Sequence, residues 1–314
     1  MRVTRLALAA VLLCLFTFLG AGNTPGQEVP AYWLGVLVEP NPDEEGTVRI
    51  LEIVPESPAS KSTLRQGDVI KSAGGKKLSN AQDLLAAIRE VGDKPLELVV
   101  VREKAESKIS IAPAKRPEEK IAEPELAQEL LEHMRDDQSV RQEFMQFMAD
   151  HGDGGQVKLE TLSEELKAKF HDIEKRFRET DKYNRDFLKQ AIEKYGWPGK
   201  SLVGRVASQA AFLFAQHSDE DTEFQKQCLE KMKAMAEGEV SKQHLAMLTD
   251  RVLVREGKPQ RYGSQLSMVD GKLKPSPIED EANVDARRKE MGMMPLAEYI
   301  KRTEESQPQA KKKS

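Results

Sequence analysis

Apolar residues fall into three regimes along the chain. Residues 6–19 form an uncharged, largely apolar run that follows Arg2 and Arg5 and leads into Gly20-Ala21-Gly22. From about residue 30 to 114 the apolar positions come in short runs and alternations, the period of strands. From about 121 to 303 they recur every three or four residues, the period of helices. The first regime predicts a secretory signal peptide over residues 1–22, cleaved near Gly22, because the run is shorter than the ~20 residues a spanning helix needs. Left uncleaved, it would anchor the chain to a membrane. Either outcome puts the folded part outside the cytoplasm, periplasmic or secreted.

In the second regime, residues 32–38 are an apolar run broken by Gly35. Residues 47–54 alternate through Val48 and Ile50 as a half-buried strand does. Pro55-Glu56-Ser57-Pro58 marks a turn, and Gly67-Asp68-Val69-Ile70 opens another strand. Ser79 or Asn80 is placed to cap a helix carrying Leu84, Leu85 and Ile88 on one face. Residues 96–101 read as the final strand, ending at Arg102.

The third regime follows a polar, proline-punctuated linker at 115–120. Stripes run through Leu126, Leu130 and Met134, then Val140, Phe144 and Phe147. A stronger one joins Leu162, Leu166, Phe170, Ile173 and Phe177. Residues 187–195 read as a separate helix, stopped by Gly196-Trp197-Pro198-Gly199. Residues 202–214 are apolar nearly all round, the mark of a central buried helix. Phe224, Cys228, Met232 and Met235 make a further core stripe, with Ser218 and Asp221 resembling a capping box ahead of it. Past Leu248 the pattern suggests a small β-meander: a strand at 251–254, a returning strand at 260–269, an Asp270-Gly271 turn and a strand at 272–278. Residues 304–314 read as a disordered tail. The fold class expected is therefore multidomain α and β: a β-rich first domain at 30–114, then a mostly α-helical domain with a small β-meander at 121–303.

Composition narrows the function. Lys plus Arg number 48 against 52 Asp plus Glu, a net charge of −4, without the basic excess of a general nucleic-acid binder. Mean hydropathy of −0.57 excludes a multi-span membrane protein. Of two cysteines, Cys14 lies in the signal segment, so Cys228 stands alone, without an intrachain disulfide or a cysteine-cluster metal site. Cys228 shares the apolar stripe and reads as a small buried hydrophobe. No His-Glu-x-x-His, Cys-x-x-Cys or Gly-x-Ser-Gly-Gly motif occurs. No cofactor or metal is expected, and the chain carries no protease domain of its own.

Three segments of the first domain carry a family resemblance: Trp33-Leu34-Gly35-Val36, Ser57-Pro58-Ala59 and Leu64-Arg65-Gln66-Gly67-Asp68-Val69-Ile70. In order and spacing they resemble a PDZ domain of the bacterial HtrA-like type, a partly open β-barrel with a helix. Ser62-Thr63 departs from the small residue and glycine that usually precede the leucine. The resemblance implies capture of an extended peptide as an added strand, its terminal carboxylate held by the backbone of Trp33, Leu34, Gly35 and Val36. Gly35 would let that backbone approach the carboxylate. The peptide would lie against the helix bearing Leu84, Leu85 and Ile88, and for Leu84 and Ile88 core and groove are equally open readings. Protein or peptide C-termini are the partners implied.

The helical part resembles an uncharacterised bacterial family, a domain of unknown function. The residues that carry this are Asp137-Gln138-x-x-Arg141, Gly196-Trp197-Pro198, Gln216-His217, Asp250-Arg251-Val252, Gln260-x-Tyr262-Gly263-Ser264-Gln265 and Arg287-Arg288. Ser264 stands where threonine is usual. The resemblance implies a shared fold and no particular reaction. His217 is the natural acid–base candidate near neutral pH, with Asp250 placed to orient it and Arg251 to hold an anion. Trp197, Gln216, His217, Asp250, Arg251, Gln260, Tyr262 and Gln265 are expected to form one polar cluster. A buried hydrogen-bond network, a ligand site and a catalytic site all remain open for it. His133, His151, His171 and His244 read as solvated. Two functions follow: an exported adaptor that captures peptide C-termini and binds a second ligand or protein, or an envelope enzyme using His217 with Asp250, Arg251 and Tyr262.

Overall fold

The computed structural model describes residues 31–41, 44, 46–54, 56–117, 120–152, 157–269 and 272–306. They form two compact units that divide near residue 118. The signal segment 1–22, the Asp270-Gly271 turn and residues 307–314 lie outside the described residues. No described helix is long and apolar enough to cross a membrane.

The first unit is built on strands β1 (Tyr32–Trp33), β2 (Val36–Pro40), β3 (Val48–Ile53), β4 (Val69–Ala73) and β5 (Lys76–Lys77), helix α1 (Ala81–Val91), then β6 (Leu96–Arg102), β7 (Ala105–Ile111) and β8 (Ala114–Lys115). The main sheet runs β2-β3-β4-β6-β7, with β5 beside β4 and β1 paired to β8. All its pairings are antiparallel. Alternation decides which faces are buried: Leu96, Leu98 and Val100 of β6 point inward, as do Val48 and Ile50 of β3. Residues 96–101 are not the final strand, because β7 pairs with β6 along its full length. Asn80 caps α1 by accepting from the N–H groups of Gln82 and Asp83, which satisfies two of the donors a helix start leaves open.

Asp68, in the Gly67-Asp68-Val69-Ile70 motif, is buried and grips Arg102 at the far end of β6. The contacts are 2.7 Å to Nε and 2.8 Å to Nη2. Asp68 also accepts from the N–H of Arg65. The motif thus ties the turn before β4 to the end of β6, and its chemistry is structural.

The second unit contains α2 (Pro124–His151), α3 (Glu164–Tyr195), α4 (Lys200–His217), α5 (Thr222–Lys233), α6 (Lys242–Arg255), the hairpin β9 (Leu266–Val269) and β10 (Lys272–Pro275), then α7 (Val284–Glu290) and α8 (Leu296–Ser306). Five differences from the sequence reading have physical causes. The stripes at 162–177 and 187–195 belong to one helix, α3. The apolar spacing lapses between them because the inward stripe continues through Asp181 and Asn184 before returning at Leu188. The buried helix α4 is kinked at Gly204, whose φ of 79° and ψ of 165° are non-helical. Residues 251–254 are the last turn of α6, so the β-meander reduces to the β9–β10 hairpin and one bridge from Gln260 to Ile278. Asp221 caps α5 through the N–H of Phe224, whereas the Ser218 hydroxyl turns back to the Phe214 carbonyl. Helix α8 runs through Ser306, into the stretch expected to be tail.

Cys228 is buried on α5, and burial pushes its thiol up to about 12. Two histidines expected in solvent are not there. His133 stacks between Tyr183 and Phe187 at centroid distances of 4.7 and 4.1 Å. His244 lies flat on Phe212 at 4.0 Å, where burial and then Lys200 lower its pKa to about 3.

Candidate functional site

In the first unit, β2 pairs with β3 on one side and, among the described residues, is an edge of the sheet. Such an edge can accept a further strand. Just before β2, the Leu34 carbonyl accepts from the N–H of Ala59 and the Gly35 carbonyl from the N–H of Val54, both at 2.8 Å. Peptide planes are trans and flat, so the N–H following each carbonyl points the opposite way. The N–H groups of Gly35 and Val36 are therefore both turned away from Ala59 and Val54. Adjacent N–H groups aimed to one side form an anion-holding nest.

Gly35 is required for a reason the sequence did not reveal. Its φ is +80°, and a Cβ there would collide with the Cβ and Oγ of Ser57. The side chain excluded is on the Ser57 side of the loop, not in the nest. The Leu34, Leu84 and Ile88 side chains are core, so Leu34 can contribute only backbone. Trp33, Val36 and Leu85 are half-buried.

In the second unit the polar motifs separate into two groups, correcting the expectation of one cluster. Asp250 and Arg251 are neighbours on α6, about 100° apart around the helix, and serve different groups. Asp250 is 0% exposed. It accepts from the N–H of Arg261 at 2.7 Å, Tyr262 at 3.0 Å and Ser264 at 2.9 Å. Gln260 accepts from the Gln265 N–H and donates to the carbonyls of Gln265 and Ser276. The Gln265 amide reaches the Ser264 hydroxyl. Arg288 donates to the Tyr262 carbonyl at 2.5 Å. Asp250, Gln260, Tyr262 and Gln265 thus shape the 260–265 loop, and Asp250 does not orient His217. Trp197 is buried, and its indole N–H has no partner among the described residues.

The orienting residue is Asp137 on α2, whose Oδ1 lies 3.3 Å from His217 Nδ1. Asp137 is 1% exposed. Arg141, one turn on, binds both its oxygens at 3.0 Å, also pairs with Asp181 on α3, and stacks over the Phe177 ring. Asn184 joins Asp137 to His133. On the other side of His217, Gln216 accepts from Arg251 through its side-chain oxygen. Arg251 and Arg255 share Asp219 at 2.6 and 3.0 Å. Asp137 and Arg141 are marked in the sequence by their motif, although it gave them no role. Asp181, Asn184 and Asp219 left no signal beyond the lapse in apolar spacing.

The charges of this centre are split. Burial alone would raise the Asp137 carboxyl, but His217 and Arg141 outweigh it and hold it well below the usual carboxylate range. Asp181 goes the other way: burial, aided by Asp137 and Asp219 and opposed by Arg141, lifts it to about 7. Burial, with Arg141, also lowers the His217 pKa against the pull of Asp137. At neutral pH the centre therefore holds an ionised Asp137, bound by His217 and Arg141, and an Asp181 that gains and loses a proton. Ligand atoms of Asp137, Asp181 and His217 lie within 4.8 Å of one another, a spacing a metal ion could use. The Arg141 guanidinium already bridges the two carboxylates and takes the cation's place.

Both units have relatives. Residues 33–112 match the PDZ domain family. Serine protease HTRA1 of Xenopus tropicalis is 35% identical over 72 residues, 23% of this chain and 15% of that protein. The probable protease eep of Enterococcus faecalis is 26% identical over 89 residues, 28% of this chain and 21% of that protein. The chain thus spans a fifth or less, to within a percent, of these curated relatives. A solved HtrA3 PDZ domain bound to a phage-derived ligand (FGRWV) is 25% identical with a TM-score of 0.24, covering 26% of this chain and 85% of that one. The protein is therefore one in which a PDZ domain precedes a mostly helical domain. Residues 124–312, more than half of the chain, match a family of unknown function, DUF6624. The chain belongs to that family.

Proposed function

We propose that this is an exported binding protein whose PDZ domain captures peptide C-termini or extended segments, and whose helical domain binds a second ligand or protein. The observation that carries the reading is the free edge of β2, led by the outward-turned N–H groups of Gly35 and Val36. A carboxylate there gains charge-assisted hydrogen bonds that an amide does not. Peptides with an apolar, free C-terminus should bind the full chain at least about tenfold more tightly than their amidated forms, a difference of ~1.4 kcal/mol. Equal affinities in a fluorescence-anisotropy titration would refute the nest. Export rests on the order of charges, apolar run and small residues in 1–22. N-terminal sequencing of the native protein should start near residue 23, and a start at Met1 would contradict cleavage.

A second reading is favoured by the split proton affinities of Asp137 and Asp181, an arrangement that assigns base and acid roles in acid–base sites. In it, Asp137 holds the His217 ring in place and Asp181 exchanges a proton. His217→Ala separates the alternatives: lost ligand binding with unchanged stability supports a site, and lost stability with unchanged binding supports a structural network.

A further inference from the structure

We propose that the chain pairs with a second copy of itself through β7, the two strands running antiparallel about Ser107. β7 lies at the end of the sheet opposite β2, and β6 is its only strand neighbour among the described residues. It is seven residues long, and Ala105 to Lys108 and Ser110 are exposed. An exposed strand edge is a template for another chain unless something blocks it.

Which backbone groups face that edge follows from the turn before it. Glu103 and Lys104 have φ of 50° and 70°, the left-handed pair of a two-residue type I′ hairpin loop. Such a turn closes by hydrogen bonding between its first and fourth residues, here Arg102 and Ala105, which stand opposite one another. Along an antiparallel ladder the pairs alternate between hydrogen-bonded and not. Ser107 and Ile109 therefore bond to β6. The N–H and C=O groups of Glu106, Lys108 and Ser110 point outward, where no described backbone group meets them.

Side chains then select one register. Centred on Ser107, the pairing sets Glu106 of each copy opposite Lys108 of the other, and Ala105 opposite the half-buried Ile109. Opposite charges placed this way stabilise a strand pair. Centred on Lys108, the same strands would bring two lysines together. Centred on Ile109, they would set Lys108 opposite Ser110 and leave Glu106 facing past the strand end. Within one copy Lys108 reaches Glu97 at 2.9 Å, and Glu106 lies 3.9 Å from Lys71. Pairing about Ser107 joins these into one row of alternating sign: Glu97 and Lys108 of one copy, then Glu106 and Lys71 of the other. A twofold pairing closes on itself and leaves β2 open in both copies. On the PDZ reading the dimer would then hold two C-termini at once.

Sedimentation velocity on the full chain, at concentrations up to about 1 mM, tests the association, with thermal unfolding to confirm that each variant is folded. A weak, concentration-dependent dimer is expected. Lys108→Glu should weaken it about tenfold or more, because both cross-copy pairs become repulsive. Glu106→Lys should do the same. The two variants mixed should associate again, because the mixed pair sets Glu opposite Lys at both positions. Amide hydrogen exchange locates the contact: the Glu106 and Lys108 N–H groups should exchange more slowly as the concentration rises. A chain that stays monomeric, a dimer unchanged by either folded variant, or variants that stay apart when mixed would overturn the proposal. So would a dimer in which the Glu106 and Lys108 amides exchange as fast as in the monomer.

Discussion

Replacing Arg141 with methionine is expected to destabilise the helical unit by about 3–5 kcal/mol, the usual result of breaking a buried ion pair from one side. Asp137 is 1% exposed, and both its oxygens are held by this guanidinium. Without Arg141 it is a buried carboxylate with only His217, Gln138 and Asn184 as hydrogen-bond partners among the described residues. Methionine keeps a flexible apolar side chain against Phe177, so the change isolates the charge. Adding Asp137→Asn to the same chain should recover much of the loss, because the unpaired charge is removed with its partner. Urea denaturation of the two variants measures both effects. A loss below about 1 kcal/mol for Arg141→Met would mean that Arg141, which joins Asp137 of α2 to Asp181 of α3, does not hold the two helices together. The pH dependence has two opposing parts. The folded state depresses the Asp137 carboxyl, so its contribution is complete above the ordinary value near 4 and is lost as pH falls toward its folded value. Asp181 stays protonated up to about 7 when folded and ionises near 4 when unfolded, so it subtracts stability as pH rises across that interval.

Gly35→Ala is expected to cost the PDZ unit about 2–5 kcal/mol and to abolish peptide binding with it. The left-handed φ penalises any Cβ by about 1–2 kcal/mol, and overlap with a packed neighbour adds about 1–3 kcal/mol. That neighbour is Ser57, which cannot swing aside freely, because its Oγ accepts from the Ser60 N–H and its Cβ is itself in the collision. Pairing Gly35→Ala with Ser57→Gly should leave mainly the backbone penalty, so the two changes should be coupled favourably in a double-mutant cycle. Simple additivity would show that the collision is not what makes Gly35 necessary.

Strands β2, β3, β4 and β6 and helix α1 of the PDZ unit were legible because each has a buried face and a short, regular period, and because Asn80 and the glycines mark the ends, whereas β7 was missed because it is exposed over most of its length. The proposed nest came from resemblance alone, since its geometry depends on which way two carbonyls point. In the helical unit, apolar stripes located α2, α4, α5 and the two ends of α3. The same signal failed where it mattered for the site. Asp181 and Asn184 occupy inward positions that an apolar pattern scores as a gap, so one helix read as two. Asp250 and Arg251 are adjacent in sequence, but the helix turns them to different partners. The residue that orients His217 lies eighty positions earlier, on a helix whose place beside α4 no local pattern encodes.

In the proposed binding mode the backbone of Gly35 and Val36 receives a peptide carboxylate beside the β2 edge. Amide NMR of the full chain, titrated with a free-acid apolar pentapeptide and then with its amide, tests this directly. The Gly35 and Val36 N–H signals should move strongly downfield with the acid, as expected for charge-assisted hydrogen bonds, the β2 signals should shift with them, and the amide should have little effect. Equal shifts with both peptides, or shifts that spare Gly35 and Val36, would contradict it.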